Sequence, residues 1–214
     1  MSIKDLRSSV TLETGPASAR TAEKKPVATD PPAKSRKRTA VWLWLCLLLV
    51  ALIGAPVGFN ALVVDGPVQG ALGEDSRNTT VSVHVYHRWA VSPREIVFDI
   101  WDVGPEASAA AVTRTLLVAA ETLQDRDYDR VHLAFRGSEK FWLAGDDFRA
   151  LGKRFSTGFA VADMAAIPEK LKLPSGISAF GSWSGGWLGV IGKQLEDLND
   201  WHRQWWQRSA LGLE

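Results

Sequence analysis

Ser184 sits in AFGSWSGGWLG, residues 179–189, where two serines, two tryptophans and four glycines share eleven positions. A serine bracketed by glycines on a strand-to-helix turn is the arrangement of a nucleophile elbow, because glycine relieves crowding around the strained serine. Here Ser182 takes the place of the first glycine, and the preceding KLPSGISAF makes a poor strand. His202 is the one histidine that follows Ser184 and could act as its base. It falls on the apolar seam of a helix, where packing is its expected role, so the spacing argues against a serine hydrolase.

Other pairs of reactive side chains are weak for geometric reasons. His84 and His87 have a spacing that suits metal ligation on a helix, yet the segment alternates like a strand, and strand positions three apart face opposite ways. Asp99 and Asp102 cannot converge on a strand either. They read as a half-exposed strand end and a turn cap, and a glycosidase would need a second carboxylate from afar, with Glu95 and Asp146 as candidates. There is no HExxH, CxxC or Asp-rich calcium loop. No catalytic residue, metal ligand or cofactor is therefore expected.

Aromatic side chains are the stronger signal. Eight of the ten tryptophans follow residue 64, and Trp183, Trp187, Trp201, Trp205 and Trp206 crowd the last 32 positions. Tryptophan fills cores, anchors interfaces and stacks on sugars. Trp183 and Trp187 in the glycine-rich loop, with Trp206, are the candidate partner-contact residues. For the loop itself the plainer reading is tight packing, with glycines letting backbones approach and indoles filling the gap.

The elements that would position these groups read as α+β. Residues 80–89 alternate with period two, Val81, Val83, Val85 and Trp89 facing one way and Ser82, His84 and Tyr86 the other. Residues 94–103 resume the alternation and suggest an antiparallel hairpin. A helix then runs from the turn at Gly104-Pro105-Glu106 to about residue 124, with an apolar stripe through Val112, Leu116, Leu117 and Leu123. RVHLAFR forms a third strand and KFWL a fourth, joined by a tight turn at Gly137-Ser138. Asp146 is placed to cap a short helix that Gly152 closes. The chain ends in a helix from about residue 188 to 208, its seam formed by Ile191, Leu195, Leu198, His202 and Trp205, with Trp206 off the seam. The expected order is ββαββα, a loop, then α, giving a mostly antiparallel sheet with helices packed on it.

Charge and hydropathy give the organisation. Residues 1–40 carry nine Lys or Arg against four Asp or Glu, whereas the rest carries sixteen against twenty. Residues 41–64 contain no charged side chain, and as a helix they would extend about 36 Å, enough for a hydrocarbon core of about 30 Å. Basic residues before this run and Asp65, Glu74 and Asp75 after it place the N-terminus in the cytoplasm by the positive-inside rule. The run is too long, and its leader too extended, for a cleaved signal peptide.

The layout is then a disordered basic tail over 1–40, a transmembrane helix over 41–64, a linker over 65–77 and an extracytoplasmic domain over 78–210. KSRKR reads as a topology determinant rather than a nucleic-acid contact, since no aromatics are interleaved. Cys46, the only cysteine, lies within the apolar run, so the domain must hold together without disulfides. This layout matches a single-pass protein of the bacterial inner membrane with its body in the periplasm. The expected role is a non-catalytic accessory or scaffold of the cell envelope, in contact with membrane lipid through 41–64 and with other envelope proteins. An envelope hydrolase acting on glycan or peptide, or a glycan-binding module using the Trp/Gly loop, are the alternatives.

Overall fold

Two alternating runs, TVSVHVYH and REIVFDIWDV, pair as expected into an antiparallel hairpin, β1 (Val81–His87) with β2 (Glu95–Val103). The computed structural model describes the backbone of residues 35–90, 92–158 and 160–213, and among these the side chains of residues 40 and below, 53, 56, 57 and 187 are outside the description. The tail expected over 1–40 thus lies outside the described residues, apart from the backbone of 35–40.

The protein is α+β. Helix α3 (Ala109–Thr122) carries the chain from β2 to β3 (Arg130–Phe135), and a tight turn returns it as β4 (Ser138–Ala144). The sheet order is β1-β2-β3-β4, with β1/β2 and β3/β4 antiparallel and β2/β3 parallel. The mixed character follows from connectivity: hairpin connections, two residues long between β3 and β4 and seven between β1 and β2, make antiparallel neighbours, whereas a helical crossover returns the next strand parallel.

One sheet face builds the core. Val81, Val83 and Val85, then Ile96, Phe98 and Ile100, then Val131, Leu133 and Phe135, then Phe141 and Leu143 are all buried on it. Against them lies the apolar stripe of α3. It starts later than the Gly-Pro-Glu signal suggests, because Ser108 is the cap and its Oγ accepts from the Ala111 amide at 3.2 Å. Helix α4 (Gly145–Thr157) also differs from expectation, since it runs straight through Gly152. A Cβ on Gly152 would stand 2.3 Å from the Ala120 carbonyl oxygen. The glycine marks a close approach of α4 to α3 rather than a helix stop.

The N-terminal helix does more than precede the domain. Helix α1 (Ser35–Asn60) passes through a π turn (Ala61–Asp65) into α2 (Gly66–Gly73) without a break. The stretch 65–77, expected as a linker, holds α2 and the 3-10 turn Ser76–Asn78. Val64, Val68 and Leu72, one turn apart, are buried in the core. Among the described residues no helix is long and apolar enough to cross a membrane. Ile53, Pro56 and Val57 of the apolar run are among the side chains left undescribed.

After a short helix α5 (Val161–Ala165), the C-terminal helix α6 (Trp187–His202) is short of its expected seam. Leu195 is 39% exposed, and the deep burial comes only at the end, in Trp201, His202, Trp205 and Trp206. The last two belong to a second π turn, Arg203–Gln207. A turn closed i to i+5 winds each residue through a smaller angle than an α turn. That lag swings Trp206 back onto the seam. Trp206, expected off the seam, is 8% exposed.

Candidate functional site

The second face of the sheet collects the polar and aromatic side chains that strand alternation sends away from the core. Asp99 is at its centre and is fully buried, not half-exposed as its place near the strand end suggests. Its Oδ2 accepts from the Tyr86 hydroxyl at 3.0 Å and the Trp101 indole at 3.1 Å, and both oxygens lie 3.0 Å from the Gly137 amide. The donors come from β1, β2 and the β3–β4 turn, so one carboxylate ties two strands and a turn together. Burial, and then the Asp99 charge, push the Tyr86 phenol well above its usual range, so it stays a protonated donor at any physiological pH.

That amide donor exists because of the turn geometry. Arg136 and Gly137 both have positive φ, 49° and 80°, as a two-residue hairpin turn of the primed type requires. Glycine adopts this freely. Arg136 is held there by its own guanidinium, which donates through Nε to the Trp101 carbonyl at 3.0 Å.

Beside Asp99 lies an ionic cluster. His132 on β3 has Nδ1 2.8 Å from Glu139 Oε1, and Arg88 reaches Glu139 at 3.0 Å, Glu95 at 3.4 Å and His132 Nε2 at 3.1 Å. With Tyr86 and Val97 these groups line a cavity of about 160 Å³. A second cavity of about 310 Å³ opens between His84, Tyr86 and Trp101 of the sheet and Asn60, Ala61 and Asp65 of the helix. Trp101 is 53% exposed at its rim, in edge contact with His84 at 6.0 Å between ring centres.

The helix on that rim closes the outer edge of the sheet. Asn60 Oδ1 accepts from the His87 amide at 2.6 Å, Asp65 Oδ1 accepts from the Val85 amide at 2.9 Å, and Gln69 Nε2 donates to the Val83 carbonyl at 2.6 Å. The match is metric. From Asn60 to Gln69 a helix rises about 13.5 Å at 1.5 Å per residue. From Val83 to His87 a strand covers about 13.5 Å. The π turn sets the phase, since it puts Asp65 five residues after Asn60 on the same side. Sequence reasoning missed all three residues, although Asn60 is the lone amide in the run 41–64.

The sequence-predicted contact residues are dispersed. Trp183 is 39% exposed, its indole donating to Asp197 at 2.6 Å and its ring 5.7 Å from Lys193 Nζ. The loop around it, residues 181–186, is exposed throughout, which overturns the expectation of tight packing. Trp187 opens α6, and its side chain lies outside the described residues. Trp206 is inside, donating to His202 Nδ1 at 2.9 Å. His202 is fully buried with Nε2 2.9 Å from Thr113 Oγ1, and it is engaged there rather than turned toward Ser184.

His84 and His87, three apart on β1, face outward and inward respectively. Asn78 is buried, its amide donating to the Leu72 carbonyl at 3.1 Å.

No family model, no curated protein and no solved structure matches this chain. The functional reading therefore rests on the sequence pattern and on this geometry.

Proposed function

We propose that the protein is a membrane-anchored, non-catalytic scaffold of the bacterial cell envelope, working through protein contacts of a periplasmic domain. The uncharged run 41–64, preceded by basic and followed by acidic residues, supports the anchor and its orientation. One observation carries the scaffold reading. The polar groups of the outward sheet face are engaged with one another: Asp99 with three donors, and His132 with Glu139 beside Arg88. A side chain so held is rigid, which suits a surface that grips a partner. A rigid indole at such a surface, here Trp101, is the kind of residue that concentrates binding energy.

Two experiments test the reading. A reporter active only outside the cytoplasm, fused after Glu214, is expected to work, and activity of a cytoplasmic reporter there would overturn the orientation. A photo-crosslinking residue placed at Trp101 in cells is expected to trap one protein partner that the same residue at Ile177 does not. Equal trapping at both sites, or none at Trp101, would overturn the outward sheet face as the scaffold surface.

A further inference from the structure

Trp89 is held out of the core by its backbone. It has φ 56° and ψ 19°, the following Ala90 has φ 61°, and its indole is 80% exposed. Two successive non-glycine residues in the left-handed region are disfavoured, and here they expose one of the largest apolar side chains in the chain. A fold that only had to bury apolar surface would turn this residue inward.

Its surroundings say what the indole faces. Asn60, the last residue of α1, donates through Nδ2 to the Ala90 carbonyl at 3.1 Å while accepting from the His87 amide. The end of the β1–β2 hairpin is therefore pinned level with the end of the apolar helix. Phe59 and Leu62 are exposed at the same level, and Phe59 stacks along His87 at 6.4 Å. Below them Leu47, Leu48, Leu49, Val50 and Leu52 are exposed on the helix. From residue 41 to Asn60 a helix rises about 30 Å, the thickness of a hydrocarbon core. Asn60 and Val64 are engaged with the domain, so a bilayer crossed by this helix ends at about Phe59, earlier than residue 64. Trp89 then stands at the membrane–water boundary, where indoles are favoured because the ring is apolar and the N–H is polar.

We propose that the end of the β1–β2 hairpin docks into the interfacial region of the lipid bilayer on the domain's side, with Trp89, Phe59 and Leu62 as its contacts. The proposal rests on the anchor reading above. Its occupant is lipid, not a protein groove: Phe59 and Leu62 are exposed on either side of Asn60 at the exit of an apolar helix, Trp89 directly precedes the Ala90 that Asn60 holds, and the exposed side chains of that helix continue from there.

The test uses the full chain with Cys46→Ala, reconstituted in phosphatidylcholine–phosphatidylglycerol vesicles. Single cysteines replace Trp89, Ala90, Leu49 or Ile177 and carry an environment-sensitive nitrobenzoxadiazole probe. Ala90→Cys keeps the indole, and each variant's unfolding transition is compared with the parent's. Quenching is measured with lipids bearing a nitroxide at the headgroup or deep in the acyl chain. The Leu49 probe is expected to lose most emission to the deep nitroxide, the probes at 89 and 90 to the headgroup nitroxide, and the Ile177 probe to neither. Quenching at Leu49 without quenching at either hairpin position overturns the docking and leaves the anchor standing. No quenching at Leu49 overturns the anchor, and the docking with it.

Discussion

Asp99 and His202 are both fully buried, one as the acceptor of three neutral donors and the other as a link in a chain of them. The Trp206 indole can only donate, so His202 Nδ1 must accept and Nε2 must carry the proton toward Thr113 Oγ1, whose hydroxyl donates to the Ala109 carbonyl at 3.0 Å. Burial lowers the His202 pKa from 6.5 to about 4. The unfolded chain then takes up a proton between these values that the folded chain refuses. Stability is full above pH 6.5, declines as pH falls through the window, and is about 3 kcal/mol lower by pH 4. Urea denaturation at stepped pH is expected to show this slope, with His202→Phe flattening it. His87, whose pKa burial also lowers, adds a residual slope of the same sign.

For Asp99 the expectation is a loss of about 1–3 kcal/mol in Asp99→Asn, because one amide oxygen must serve three donors and the NH₂ faces another N–H. Denaturant midpoints read this directly. Neither network was legible in the sequence. The donors to Asp99 come from three elements, and His202 is satisfied by a threonine 89 positions away; local spacing carries no trace of such partners.

At the scale of elements, the strands and α3 were legible because their apolar periodicity is clean, and the two π turns were not. ALVVD and RQWWQ carry no glycine or proline to announce a wider turn; contacts made elsewhere select it. The second turn reverses an expectation about α6. Trp206→Ala is expected to cost about 3–5 kcal/mol as a large buried side chain, whereas Leu195→Ala should stay within about 0.5 kcal/mol as a surface change. Thermal unfolding of the two variants separates the possibilities, and equal losses would mean that the helix packs in its α register.

The first turn offers a sharper test. Deleting Leu62 would let the helix close as α throughout, and four residues at about 100° each bring Asp65 back to the face of Asn60 just as five do through the wider π turn. Hydrogen exchange at the His87 and Val85 amides is then expected to stay slow in this variant. Accelerated exchange at either amide would show that the π turn does more than absorb the extra residue.

For the whole molecule, the α+β class followed from the alternation of periods, whereas the parallel β2/β3 pair was not read from the sequence, which suggested a mostly antiparallel sheet, although the α3 crossover imposes it. The role of the N-terminal helix did not follow, because an apolar run signals burial without saying in what. Its last turns belong to the domain. A chain beginning at Asn60 should therefore fold and remain monomeric, whereas one beginning at Pro67 lacks Asn60, Val64 and Asp65 and should melt many degrees lower. Sedimentation and thermal melts of the two truncations check this, and indistinguishable behaviour would mean that the helix is dispensable to the sheet.

The unbroken passage from α1 into α2 also removes any tether. A flexible connection of twelve residues would let a domain wander about 20 Å from its point of attachment, sampling a hemisphere of heights and orientations. On the anchor proposed above, the helix hydrogen-bonded along β1 would hold the domain at one height and one heading. Such a domain would not search for a partner by reaching out. A partner would have to present its matching surface within one thin layer above the bilayer, so distance from the membrane would itself become a criterion of selection.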